Sequence, residues 1–156
     1  MSSPPAAPAH RWPLILLRVT ATTLAVLTLL QTVLAASFLN GTYESLRDHA
    51  DNATTLAAAV LLQLAAAVLV RWPGRGPLWP LWTTAALAAA VTGQIVAAYT
   101  RALGVHITLG VLLVSAVLFG LVGAWRVPLP ACADSPSGPD GHGRLPRPGG
   151  PVEVAK

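Results

Sequence analysis

Polar positions divide the chain into four long apolar runs. The clearest is 102–125, ALGVHITLGVLLVSAVLFGLVGAW, bounded by Arg101 and Arg126 and without a formal charge. About 20 apolar residues suffice to cross a bilayer as a helix. In hydrocarbon the backbone must satisfy its own hydrogen bonds, so the run predicts a helix rather than a strand. Similar runs predict helices over 14–39, 53–71 and 78–100; the second starts at 53 or as early as Ser45, and the third has Pro80 in its first turn, where proline is tolerated. The stretch NGTYESLRDHADN (40–52) is a polar first loop, and WPGRGP (72–77) is a tight turn built of helix breakers. The link around Arg101 is so short that it demands an antiparallel neighbour. The fold class is therefore all-α: a polytopic, antiparallel bundle of four transmembrane helices over 14–126. A Ser/Pro/Ala leader (1–13) and a Pro/Gly-rich tail (127–156) flank it, with compositions that predict disorder. A competing view of the first run, a signal peptide cut after Val33-Leu34-Ala35, is disfavoured because about 26 apolar residues exceed a signal core.

Composition supports the membrane class. Of 156 residues, 54% are hydrophobic and 10% charged, where a soluble domain carries about 25% charged. The pI of 10.2 reflects a net charge of only +4, and the basic residues lie at the ends of apolar runs rather than in a cluster that would bind nucleic acid. Cys132 is the single cysteine, which excludes an internal disulfide and a cysteine-based metal site. Nine arginines against one lysine, with abundant alanine, point to a GC-rich bacterial genome. The glycosylation patterns at Asn40-Gly41-Thr42 and Asn52-Ala53-Thr54 are then coincidental.

Charge sets the orientation. Arg11, Arg18, Arg71, Arg75, Arg126, Arg144, Arg147 and Lys156 fall on the side of the termini; only Arg47 and Arg101 fall on the other. The bias predicts a multi-pass protein of the plasma membrane with both termini cytoplasmic. Trp12, Trp72, Trp79, Trp82 and Trp125 mark the cytoplasmic interface, and Tyr43 and Tyr99 the outer one.

Polar side chains inside apolar helices usually face the bundle interior. At about 100° per residue, His106 shares a stripe with Gly110, Leu113, Val117, Gly120 and Ala124, so Gly120 is expected at a helix contact. His49 shares one with Ala53, Leu56, Val60, Gln63 and Ala67. Gln31, Gln63 and Gln94 are expected to form interhelical hydrogen bonds, and Arg18 to snorkel to the cytoplasmic interface. The two halves also resemble each other: LAVLTLLQTVLAASF from Leu24 aligns with LAAAVTGQIVAAY from Leu87, Gln31 over Gln94, and a histidine follows each.

Counted up from Trp72 and Trp125 at about 1.5 Å per residue, His49 is roughly 34 Å and His106 roughly 28 Å from the inner interface. They are nearly level on two parallel helices. Such a pair can ligate a haem iron axially, with Ala53 and Gly110, four residues on, leaving room for the porphyrin edge and Arg47 and Arg101 meeting the propionates. The alternative makes His49 a solvated loop residue and His106 a hydrogen-bonding partner of a neighbouring helix. His10 and His142 lie in the tails and carry no site.

The pattern His49-x-x-x-Ala53 opening the second helix, VHITLGVLL from Val105 opening the fourth, and LNGTYESLRDHADN from Leu39 resemble a group of small, uncharacterised four-helix bacterial membrane proteins of actinobacterial type. The resemblance covers about 14–126. That group in turn resembles one four-helix half of haem A synthase, in which histidines at helix starts ligate haem. The resemblance implies His49 and His106 as candidate haem ligands and nothing more; a haem held by two histidines in this way is expected to be of b type. It does not imply synthase activity, because the first loop has Glu44, Asp48 and Asp51 but no cysteine, and a second half is missing.

Three function classes follow: a haem-binding or electron-transfer module; a non-enzymatic membrane subunit that works through protein partners or as a homo-oligomer; and, least supported, a small-solute transporter. The last lacks a deep Asp, Glu or Lys in any span. No nucleophile-base arrangement or metalloprotease motif supports an enzyme.

Overall fold

The computed structural model describes residues 11–129. Four α-helices follow one another: α1 (Trp12–Leu39), α2 (Ser45–Arg71), α3 (Trp79–Tyr99) and α4 (Leu103–Arg126). All four are long and apolar enough to cross a membrane. The second helix takes the earlier of its two expected starts, Ser45 rather than 53, so His49 is helical rather than part of a loop. Its polar first turns, with Asp48 near the N-terminus where a negative charge is favoured, extend the apolar segment toward water. The first helix likewise begins at Trp12 rather than 14, with Pro13 in its opening turn, and runs unbroken through 33–35. The expectations for 1–10 and 130–156, including His10, Cys132, His142, Arg144, Arg147 and Lys156, lie outside the described residues.

Each helix packs on its two neighbours in the order α1, α2, α3, α4 and back to α1, while the backbones of the diagonal pairs α1/α3 and α2/α4 stay more than 8 Å apart between Cα atoms. One buried cluster draws Leu24 and Ala25 from α1, Leu56, Ala59 and Val60 from α2, Leu87 and Val91 from α3, and Leu113 and Val117 from α4. A second, at the tryptophan end, joins Leu14, Leu17, Ala21, Ala66, Ala67, Val70 and Ala124. Burial is uneven. In the most apolar stretch of each helix, 39% of residues are buried in α1 and α2, but 22% in α3 and 17% in α4.

The two connections at the histidine end share one design. After α1, Gly41 (φ +96) donates its N–H to Phe38 O and Thr42 to Ser37 O; after α3, Arg101 (φ +56) donates to Ala98 O and Ala102 to Ala97 O. Both are Schellman caps, which satisfy the last carbonyls of a helix with a left-handed residue that is usually glycine. Arginine in that slot costs about 1 kcal/mol or more. At the other end Gly74 N–H and Gly76 N–H reach Leu69 O and Val70 O. A Cβ on Gly74 would lie 2.6 Å from Val70 O, so the turn needs glycine there.

Arg18 does more than snorkel. Its guanidinium donates to the carbonyls of Ala124 (3.3 Å), Trp125 (3.3 Å) and Val127 (2.6 Å), and lies 5.1 Å from the Trp125 ring. A cation thus satisfies the orphan carbonyls at the C-terminus of α4 and ties the last helix to the first.

Gly120 departs from expectation: an added Cβ there would meet nothing within 4 Å, whereas on Gly123 it would lie 2.6 Å from the Trp79 ring. The helix is turned so that Gly123, not Gly120, receives a neighbour. Gly123→Leu should therefore overpack against Trp79 at about 1–3 kcal/mol, while Gly120→Leu should be tolerated. Thermal unfolding in detergent checks this; equal losses from the two variants would contradict the packing face.

Candidate functional site

Two antiparallel helices in lipid can lend each other polar groups only where side chains replace water, and here one residue pair does so twice. On α1 and α2, the Gln31 amide donates from Nε2 to His49 O (2.9 Å), while His49 Nδ1–H donates to Gln31 O (3.3 Å). On α3 and α4, Gln94 Nε2 donates to His106 O (2.8 Å) and His106 Nδ1–H to Gln94 O (3.0 Å). Each glutamine and histidine thus bond each other's backbone in a crossed clamp. The alignment of Gln31 with Gln94 corresponds to a repeated structural unit.

The clamp has a chemical consequence. A carbonyl can only accept, so Nδ1 carries the proton in both rings, and Nε2 is left with its lone pair. A hydrogen bond at the far nitrogen is the usual means of fixing a ligating imidazole. Neither Nε2 has a hydrogen-bond partner among the described residues. The two rings come from the diagonal helices α2 and α4, yet meet at the same level, with centroids 6.3 Å apart and planes at 62°. Both are half-buried.

Were an iron bound here, His49 and His106 are the residues that would hold it, each through Nε2 at a metal–nitrogen distance of about 2.0–2.1 Å. No group of three or more His, Cys, Asp and Glu side chains capable of holding a metal occurs among the described residues. Two imidazoles leave an iron short of ligands unless the rest come from a macrocycle. The donor set therefore fits haem better than a bare ion.

The surroundings match the expectation unevenly. Ala53 is half-buried. Gly110 does not hold space for a porphyrin edge; a Cβ there would lie 2.9 Å from Gln94 Nε2, so its missing side chain makes way for the clamp. Arg47 and Arg101 lie at the same end of the bundle and are exposed. Gln63 is buried in α2 with Oε1 unpartnered, so the third glutamine leaves that acceptor without an interhelical donor.

Sequence reasoning missed Asn52. It is 8% exposed and donates from Nδ2 to Leu27 O (3.0 Å) and to Gln31 Oε1, bracing the first clamp. The signal was its position three residues after His49, one helical turn along the same face, but it was hidden by assigning it to a loop. Gln31→Leu should cost about 1–2 kcal/mol by stripping His49 O and half of Asn52's bonding. Gln94→Leu removes one bond together with an acceptor that has no donor, and should cost less. Detergent unfolding of the two variants compares them.

No family model matches this chain, and no curated protein or solved structure does.

Proposed function

We propose that this chain is a multi-pass membrane protein that holds a b-type haem between His49 and His106 and serves as an electron-transfer module. The supporting observation is the pair of imidazoles 6.3 Å apart, each with Nδ1–H committed to a carbonyl. Haem, when bound, supplies one-electron redox chemistry at the iron. The protein's own residues do the rest. His49 and His106 present neutral Nε2 donors whose orientation is set by Gln31 and Gln94. Leu56 and Leu113, about two turns below the histidines on the same stripes, are buried in the apolar core and wall the site from the far side of the membrane. Arg47 and Arg101 are the cations at that end, and are assigned to the propionates. Arg101 occupies a left-handed position that glycine fills in the other hairpin, so a side chain is retained there at a backbone cost.

Orientation belongs to the same proposal. The basic residues and tryptophans put the termini in the cytoplasm and the histidine end at the outer face. In a Cys132→Ser background, Tyr43→Cys should label from outside intact cells and Arg75→Cys only after permeabilisation. The reverse pattern would overturn the orientation.

The haem assignment is tested by colour. Protein expressed with haem supplied should show a sharp Soret band and resolved visible bands on reduction, the signature of a low-spin iron with two imidazoles. His49→Ala and His106→Ala should each lose haem or become high-spin, while His142→Ala should behave as wild type. A colourless wild type would instead favour a subunit acting through protein partners, for which the sparsely buried α3 and α4 are the supporting observation.

A further inference from the structure

The seam between α1 and α4 is not closed along its length. A groove of about 550 Å³ runs down it at the tryptophan end, from Ile15 to Leu27 on α1, with Arg18 and Trp125 toward its water-side end. That volume lies within the roughly 300–1,000 Å³ of small-molecule pockets. At about 1.5 Å per residue the stretch is roughly 18 Å long, against roughly 15 Å for the hydrocarbon of one leaflet. The groove is therefore about one leaflet deep. It opens sideways to lipid, since Ile15, Val19 and Val26 are all exposed.

Its wall is apolar despite two threonines. Thr22 Oγ1 donates to Arg18 O (2.8 Å) and Thr23 Oγ1 to Val19 O (3.0 Å), so both hydroxyl protons are spent on their own helix. Trp125 Nε1 is spent as well, on Thr22 Oγ1 (3.4 Å). Below Arg18 the groove thus offers a ligand no unspent donor, only hydrocarbon.

The water-side end is cationic. Arg18 Nε and Nη2 donate to the carbonyls that close α4, while Nη1 has no acceptor among the described residues. Charge at this end is one-sided. Arg11, Arg71, Arg75 and Arg126 join Arg18 there, whereas Glu44, Asp48 and Asp51, the acidic residues among those described, all lie at the histidine end.

We infer that the groove holds one acyl chain of an anionic phospholipid from the leaflet at the tryptophan end, with its phosphate accepting from Arg18 Nη1. A zwitterionic headgroup brings its own cation into that field, so the arginines favour a lipid of net negative charge. The site lies at the opposite end of the bundle from the histidines and does not rest on the haem reading.

The test offers full-length protein in detergent equal amounts of dioleoyl-phosphatidylglycerol and dioleoyl-phosphatidylcholine, and identifies the retained lipid by native mass spectrometry. Wild type should favour phosphatidylglycerol by roughly fivefold, the increment for a single arginine beside an anionic headgroup. Arg18→Gln should abolish the preference, while Arg75→Gln, at the same end but in the α2–α3 turn, should keep it. Val26→Trp fills the lower groove without touching the cap on α4 and should lose the retained lipid. Val111→Trp, at an exposed position of α4 outside the groove, should bind as wild type does. The tryptophan pair decides the matter if Arg18→Gln does not fold. Equal retention of the two lipids by wild type, or equal losses from Arg18→Gln and Arg75→Gln, would overturn the role of Arg18. Lipid retained by Val26→Trp at the wild-type level would overturn the groove as the site. A disulfide-linked dimer of Thr23→Cys, formed in phosphatidylglycerol vesicles in a Cys132→Ser background, would put a second copy of the chain in the groove and overturn the lipid.

Discussion

An apolar solvent offers no hydrogen bonds, and this constraint governs the structure wherever a polar group is buried. Helices dispose of the backbone, but their ends and any buried side chain still need partners. The chain answers in two ways. Schellman caps close α1 and α3, and the Arg18 guanidinium covers the terminal carbonyls of α4. Within the bundle the crossed glutamine–histidine clamps place each glutamine's amide N–H and each imidazole's Nδ1–H on a carbonyl of the facing helix. Because each clamp joins antiparallel neighbours, each hairpin is held at the end where its connection is shortest. The imidazoles are placed as a by-product of satisfying the glutamines.

Much of this was legible. Length and hydropathy gave four helices because a bilayer imposes a minimum apolar run, and Gln31 aligned with Gln94 because the repeat is preserved in the chain itself. The stripe through His49, Leu56, Val60, Gln63 and Ala67 does face inward, as the burial of the last four residues shows. What escaped was whatever depended on the rotation of one helix against another. Gly120 and Gly123 differ by less than a turn, and only packing shows that the second meets Trp79. Gly110 lies on the predicted face, yet the group it accommodates is an amide rather than a ligand. Asn52 was lost for another reason. Hydropathy ends a span at the first polar residues, while the helix continues into them and buries Asn52.

The site gains its chemical definition from what it lacks as much as from what it holds. A pair of imidazoles with fixed tautomers, in a fold with no group of three or more His, Cys, Asp and Glu side chains among the described residues, is a poor cage for a free ion. The likeness of the two halves does not extend to what supports each clamp. Leu109 stands where the first half has Asn52, and Gln94 Oε1 is left without the donor that Gln31 Oε1 has.

The hairpins differ in height as well. Helix α1 continues eight residues beyond Gln31, and α3 only five beyond Gln94. At about 1.5 Å per residue the first hairpin stands roughly 4.5 Å taller above a common clamp level. The rim around the histidines is therefore a parapet with one low side, and that side is made by α3, Arg101 and the start of α4. Of the two half-buried imidazoles, His106 is the one that stands under the lower wall, beneath an exposed arginine.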